Sequence, residues 1–135
     1  MRIKDKLEEI EEFLEELKDI LPSSFDEYKR NFEKKAACER YFEKIIESII
    51  DLAFLIIKEK GFKIPEEDKE AFDILTNENI ISKELAKRLK DAKGMRNIIA
   101  HEYGKIDDEL VFHSITEELE KDVLDLINSV KNILR

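Results

Sequence analysis

A chain of 135 residues with 42% hydrophobic side chains can bury a core as one unit, and residues 1–135 are expected to form a single domain. Its net charge of −9 and pI near 4.9 exclude a domain that grips nucleic acid through broad electrostatics, leaving room only for a few cations concentrated at one place. The single Cys38 excludes an internal disulfide and suits a reducing cytoplasm.

Along the chain, Ile3, Leu7, Ile10, Leu14, Leu17 and Leu21 recur at three- and four-residue steps, the period of a one-faced helix that Pro22 ends. The leading residues Met1 to Lys6 are too charged to open a signal peptide. Ser23 or Ser24 can cap a long second helix, from about Phe25 to Lys60, that closes at Gly61. Its second half, from Ile45 to Ile57, is apolar on most sides and calls for burial on most sides; Glu47 and Asp51 interrupt it, and it is too short to span a bilayer. Pro65 opens a short third helix over about 66–75. Ser82 caps a fourth, which runs to the His101 region, and Asp107 or Asp108 caps a fifth over about 109–134. With no strand alternation or internal repeat, the chain reads as an all-α bundle of about five helices with short connections. Glutamine is absent while Lys, Glu and Ile are abundant, a bias similar to that of proteins from hot environments.

The densest chemistry lies in Arg96-Asn97-Ile98-Ile99-Ala100-His101-Glu102-Tyr103, followed by Gly104, where the fourth helix is expected to end. Two His, three Tyr and no Trp occur in the chain, so a His and a Tyr at one helix end stand out. Arg96 offers a rigid fork of donors suited to a phosphate. His101 is the residue type that exchanges a proton near neutrality. Asn97 and His101 share a helix face, so the amide can orient the imidazole or bind a ligand oxygen. Arg96 and His101 lie about 140° apart on a continuous helix, a gap that the long Arg side chain or a partner subunit would have to close. A phosphate held beside a basic imidazole suffices for RNA cleavage without a metal. The imidazole takes the 2′-OH proton, and the guanidinium stabilises charge growing on the phosphate oxygens. No metal site and no cofactor are expected, since His113 is distant from His101. A plain structural role stays open as well: the Arg can pair with a carboxylate, the His can complement the helix dipole and the Tyr can pack on the bundle end.

Arg40, Glu47 and Asp51 follow at intervals of seven and four and line one face of the second helix. Asp51, set between Ile50 and Leu52, is expected to need a partner. That partner is either Arg96 or His101, orienting the site, or some other cation in a structural bridge.

The spacing Arg96-x4-His101-x-Tyr103, with Asn97 directly after the Arg, resembles the signature of HepT-like toxins of the HEPN superfamily. The segment Glu39-Arg40-Tyr41, leading into Ile45 to Ala53, also looks like the second helix of that family. The resemblance implies an antiparallel helical bundle that forms a homodimer or higher even-numbered oligomer, and a metal-independent endoribonuclease toxin acting on RNA. It implies Arg96 and His101 as catalytic, with Asn97, Asp51, Glu47 and Arg40 in support. A minimal nucleotidyltransferase antitoxin would be the partner, silencing the toxin by transferring AMP onto Tyr103. The competing implication is a non-catalytic HEPN module that binds nucleotide or docks the nucleotidyltransferase. A cytoplasmic location without membrane contact is expected in either case.

Overall fold

The computed structural model describes residues 2–101 and 106–134, and every regular element within them is a helix. Helix α1 (Ile3–Ile20) buries Ile3, Leu7, Ile10, Leu14 and Leu17, the stripe that its periodicity predicts. Helix α2 (Phe25–Arg30) opens on a reciprocal cap. The Ser24 hydroxyl accepts the Glu27 N–H at 3.1 Å, and the Glu27 carboxylate accepts the Ser23 N–H at 3.1 Å.

The expected single helix over 25–60 is broken at Asn31. This residue leaves the helical region (φ −95°, ψ 93°), donates its N–H to the Glu27 carbonyl and accepts the Lys34 N–H through its side chain at 3.1 Å. It closes α2 and caps α3 (Phe32–Lys60) at once, satisfying end groups of both helices. Helix α3 is the central member. Ile45, Ile46, Ile49, Leu52, Ala53, Ile56 and Ile57 are all buried, and α1, α2, α4 and α5 pack around it. Gly61 ends it with φ 74°, the left-handed cap for which a glycine is suited.

Helix α4 (Asp68–Asn77) begins two residues later than expected, since Glu67 is still extended (φ −126°, ψ 152°). Helix α5 (Lys83–His101) starts at the predicted cap, where the Ser82 hydroxyl accepts the Leu85 N–H at 3.0 Å. The expected fifth helix is one rod in three parts: α6 (Asp108–His113), capped by Asp107, a π-helical turn (Ser114–Glu118), and α7 (Leu119–Ile133). The buried positions Val111, Ile115, Leu119 and Val123 follow at steps of four, each overrunning an α-helical turn by about 40°. The wider π turn absorbs that overrun and keeps all four on the core side.

Two further contacts close the bundle. Tyr28, fully buried, packs its ring 5.1 Å from that of Phe112 and ties α2 to α6. Arg88 of α5 grips α7, with Nε 2.7 Å from Asp122 and Nη2 2.9 Å from Asp125. Burial raises the Asp122 carboxyl above its ordinary range, against the pull of Arg88. Cys38 is fully buried in the core, and burial pushes its thiol up to about 11, which suits a packing residue.

Glu27 yields a test. Its hydrogen bond with Lys34, seconded by Ser23, holds its carboxyl at about 2 against an ordinary 4.5. A depressed carboxylate contributes stability above its unfolded value that is lost as the pH falls through its folded one. The Glu27→Gln variant should therefore melt below the parent near neutrality, and the difference should shrink between pH 4.5 and about 2. Thermal melts across that range check it; a constant difference would show that Glu27 acts without its charge.

Candidate active site

The last turns of α5 carry Arg96, Asn97 and His101, and the burial of Ile99 fixes which way this segment faces. The Arg96 side chain is 22% exposed and makes two unequal contacts. Nη1 donates to the Asn97 side-chain oxygen Oδ1 at 2.8 Å, and Nη2 lies 3.3 Å from Glu47 Oε1 on α3. Its Nε is buried and has no hydrogen-bond partner among the described residues. Asn97 thus holds the guanidinium of its neighbour, a different contact from the His101 or ligand contact its helix face suggested.

The same Glu47 oxygen lies 3.9 Å from Arg40 Nη1, which is 3.2 Å from Glu43. Arg40, Glu47, Arg96 and Asn97 therefore meet in one cluster; the sequence selected all four for the site, but not the contacts that join them. Glu43 was missed. Its signal was available, since it stands three residues after Arg40 on the same helix. His101 is exposed in the last described turn of α5, and the unbroken helix between them keeps it about 140° around the axis from Arg96. Glu102, Tyr103 and Gly104 lie outside the described residues.

Asp51 does not serve Arg96. Its carboxylate is 64% exposed and sits 3.6 Å from Lys6 of α1, which also bonds Glu9 at 2.6 Å. The stripe of Arg40, Glu47 and Asp51 runs between two neighbours of α3. Its Glu47 end reaches α5, and its Asp51 end, one turn on, reaches α1. Of the two kinds of partner expected for Asp51, the structure shows the other cation: a structural bridge to Lys6.

A groove of about 580 Å³ runs along α5 on another side, between Met95, Ile98 and Ile99 and the Leu110, Val111 and Leu119 of the last rod. Arg96, Asn97, His101 and Glu47 are not among its walls. Among the described residues, no group of three or more His, Cys, Asp or Glu side chains is placed to hold a metal ion, and no helix is long and apolar enough to cross a membrane.

The model of the family described as Ribonuclease HepT-like matches residues 10–132. The chain belongs to the HepT-like ribonuclease family. The tRNA nuclease HepT of Aphanizomenon flos-aquae is 33% identical over 119 residues, covering 88% of this chain and 81% of that one. The mRNA nuclease HepT of Shewanella oneidensis is 28% identical over 94 residues, 70% of this chain and 71% of its own. Among solved structures, the tri-AMPylated Shewanella oneidensis HEPN toxin, in complex with an MNT antitoxin, superposes with a TM-score of 0.89 at 25% identity over 96% of both chains. The family and the all-α HEPN architecture expected from the late motif are those found.

The place of Asp51 in the HepT-like bundle gives a second test. Lys6 is buried but keeps its 2.6 Å bond to Glu9 when Asp51 is neutralised, and the Asp51 end of the pair is exposed, so the pair contributes about 0–1 kcal/mol; it does not reach Arg96. Asp51→Asn should leave RNA cleavage unchanged and alter stability by less than about 1 kcal/mol. A drop in cleavage by a variant that melts normally would return Asp51 to the site.

Proposed function

We propose that this chain is the toxin of a toxin–antitoxin pair and cleaves RNA with Arg96 and His101. The family is one of ribonucleases, and the superposing HEPN toxin is held by an antitoxin. One observation carries the assignment of residues: Arg96 is built into the helix interface with its fork only partly engaged, in the same last turns of α5 that expose His101. His101 takes the proton from a ribose 2′-OH, and the freed oxygen attacks the adjacent phosphorus. The Arg96 guanidinium, oriented by Asn97, binds the non-bridging oxygens as their charge grows. The bond from phosphorus to the 5′-oxygen breaks and that oxygen takes up a proton from water, leaving a cyclic phosphate on one fragment and a 5′-hydroxyl on the other. The reaction draws on no metal ion.

Helix geometry favours a site completed by a second copy. A straight α5 cannot aim Arg96 and His101 of one chain squarely at a single phosphorus, because they stand about 140° apart around its axis. A homodimer, or a larger assembly of dimers, can offer the Arg of one copy beside the His of the other. The antitoxin partner is a minimal nucleotidyltransferase that places AMP on Tyr103, close in sequence to the site. The added phosphodiester is an anion and a natural competitor for Arg96, so modification would silence the enzyme without unfolding it. Reading and location agree: a toxin acting on cellular RNA works in the cytoplasm.

Arg96→Ala and His101→Ala should each reduce cleavage of total cellular RNA in EDTA by about a hundredfold or more, measured on protein checked by mass to be free of AMP. Mixing the two inactive variants should restore part of the activity if the site is shared between copies. A folded, unmodified parent that binds RNA without cutting it would favour the non-catalytic HEPN module instead. Tyr103→Phe should accept no AMP from the antitoxin, and should keep cleaving in its presence. Adenylylation of that variant, read by mass, would move the modification elsewhere.

A further inference from the structure

Two cations from different helices converge on one carboxylate oxygen. Glu47 Oε1 lies 3.3 Å from Arg96 Nη2 of α5 and 3.9 Å from Arg40 Nη1 of α3. Both contacts are longer than the roughly 2.7–2.9 Å of a tight charge-assisted bond. Elsewhere the same residue types do close tightly: Arg88 meets Asp122 at 2.7 Å and Asp125 at 2.9 Å. Other pairs of the chain are as long, Lys6–Asp51 at 3.6 Å among them; what sets Arg96 apart from Arg88 on the same helix is that its fork is not closed on carboxylate oxygens.

Nor does Glu47 use what Arg96 offers. The Nε and Nη2 edge of a guanidinium engages two oxygens of one anion in parallel. Among the described residues, Nη2 meets a single carboxylate oxygen and the buried Nε meets none. Arg40 is 58% exposed and Glu47 39% exposed, so the carboxylate can swing out to water and the point it occupies can be reached from solvent. A phosphodiester carries the same single negative charge and presents two oxygens, which would fill the fork.

We infer that Glu47 stands in the place of a substrate phosphate, and that Arg40 is a second phosphate-binding residue beside Arg96. Exchange of one anion for the other keeps the local charge constant, so no cation is stripped of its counter-ion on the way. It also lets a chain of net charge −9 keep two cations discharged until RNA arrives. The inference rests on the ribonuclease reading and adds to it a residue that binds substrate and one that competes with it.

The test uses the full chain, free of AMP, and a 2′-O-methylated RNA oligonucleotide, which lacks the attacking hydroxyl and reports binding alone. Fluorescence anisotropy over a range of salt gives affinity and salt slope. Glu47→Gln and Glu47→Ala should each tighten binding about fivefold, the size expected when a partly exposed competing ion pair is removed. Arg40→Ala should weaken binding and lower the salt slope by about 0.7, the value of one phosphate contact on a single strand. Arg40→Lys, which keeps the charge, should restore the slope. Weaker or unchanged binding by both Glu47 variants, or an Arg40→Ala protein with the affinity and slope of the parent, overturns the inference. Arg96→Ala separates the two levels. If it weakens binding while the Arg40 and Glu47 variants are silent, only this inference fails; if it too is silent, the RNA site itself is misplaced. Circular dichroism melts confirm that each variant is folded.

Discussion

Burial of α3 around most of its circumference is the constraint on which the rest of the molecule depends. Ile45, Ile46, Ile49, Leu52, Ile56 and Ile57 together give up nearly all of their surface, which requires neighbours on several sides at once. Those neighbours, α1, α4 and α5, are thereby placed. What α3 leaves to water is one stripe through Arg40, Glu47 and Asp51, and the stripe falls between α1 and α5. The location of the polar cluster is thus a consequence of packing: charged residues collect where the central helix is least covered.

That origin explains why the cluster can be both ordered and incomplete. Ile99 anchors α5 on the core, so Arg96 is delivered to Glu47 by the helix and not by its own flexible stem. Asn97 then fixes the plane of the guanidinium with a 2.8 Å bond. A cation placed by backbone packing loses little further freedom on meeting an anion, which is the condition for electrostatic stabilisation of a developing charge. The buried Nε, without a hydrogen-bond partner among the described residues, marks the same arrangement as one in which the fork is not saturated. Arg88 makes the contrast, since its two contacts with Asp122 and Asp125 are short and serve to join α5 to α7.

Periodicity and capping chemistry reveal most of the helices before any coordinates. Ser24, Ser82, Asp107 and Gly61 do at their helix ends what their side chains or backbone freedom predict. The two breaks inside expected helices share a cause. A one-residue break at Asn31 and a single π turn at Ser114–Glu118 hardly disturb an apolar repeat, so a pattern built on that repeat runs straight across them. Asn31 did carry a signal, as a capping residue type inside a supposed helix. The π turn follows from a run of four-residue steps whose drift only a rigid core makes costly.

The sequence by itself determined the helical class and the family, and it singled out Arg40, Glu47, Arg96 and Asn97 among the residues offered for the site. These depend on local spacing and on side-chain chemistry, and both can be read along the chain. Only the tertiary structure decided which partner each charged residue takes. Glu47 and Asp51 are one turn apart on one stripe and equally suited to Arg96, yet the first reaches α5 and the second turns to Lys6 of α1. Ion pairing is non-local and falls steeply with distance, so the choice belongs to the packing angles of three helices, which no single stretch of sequence contains.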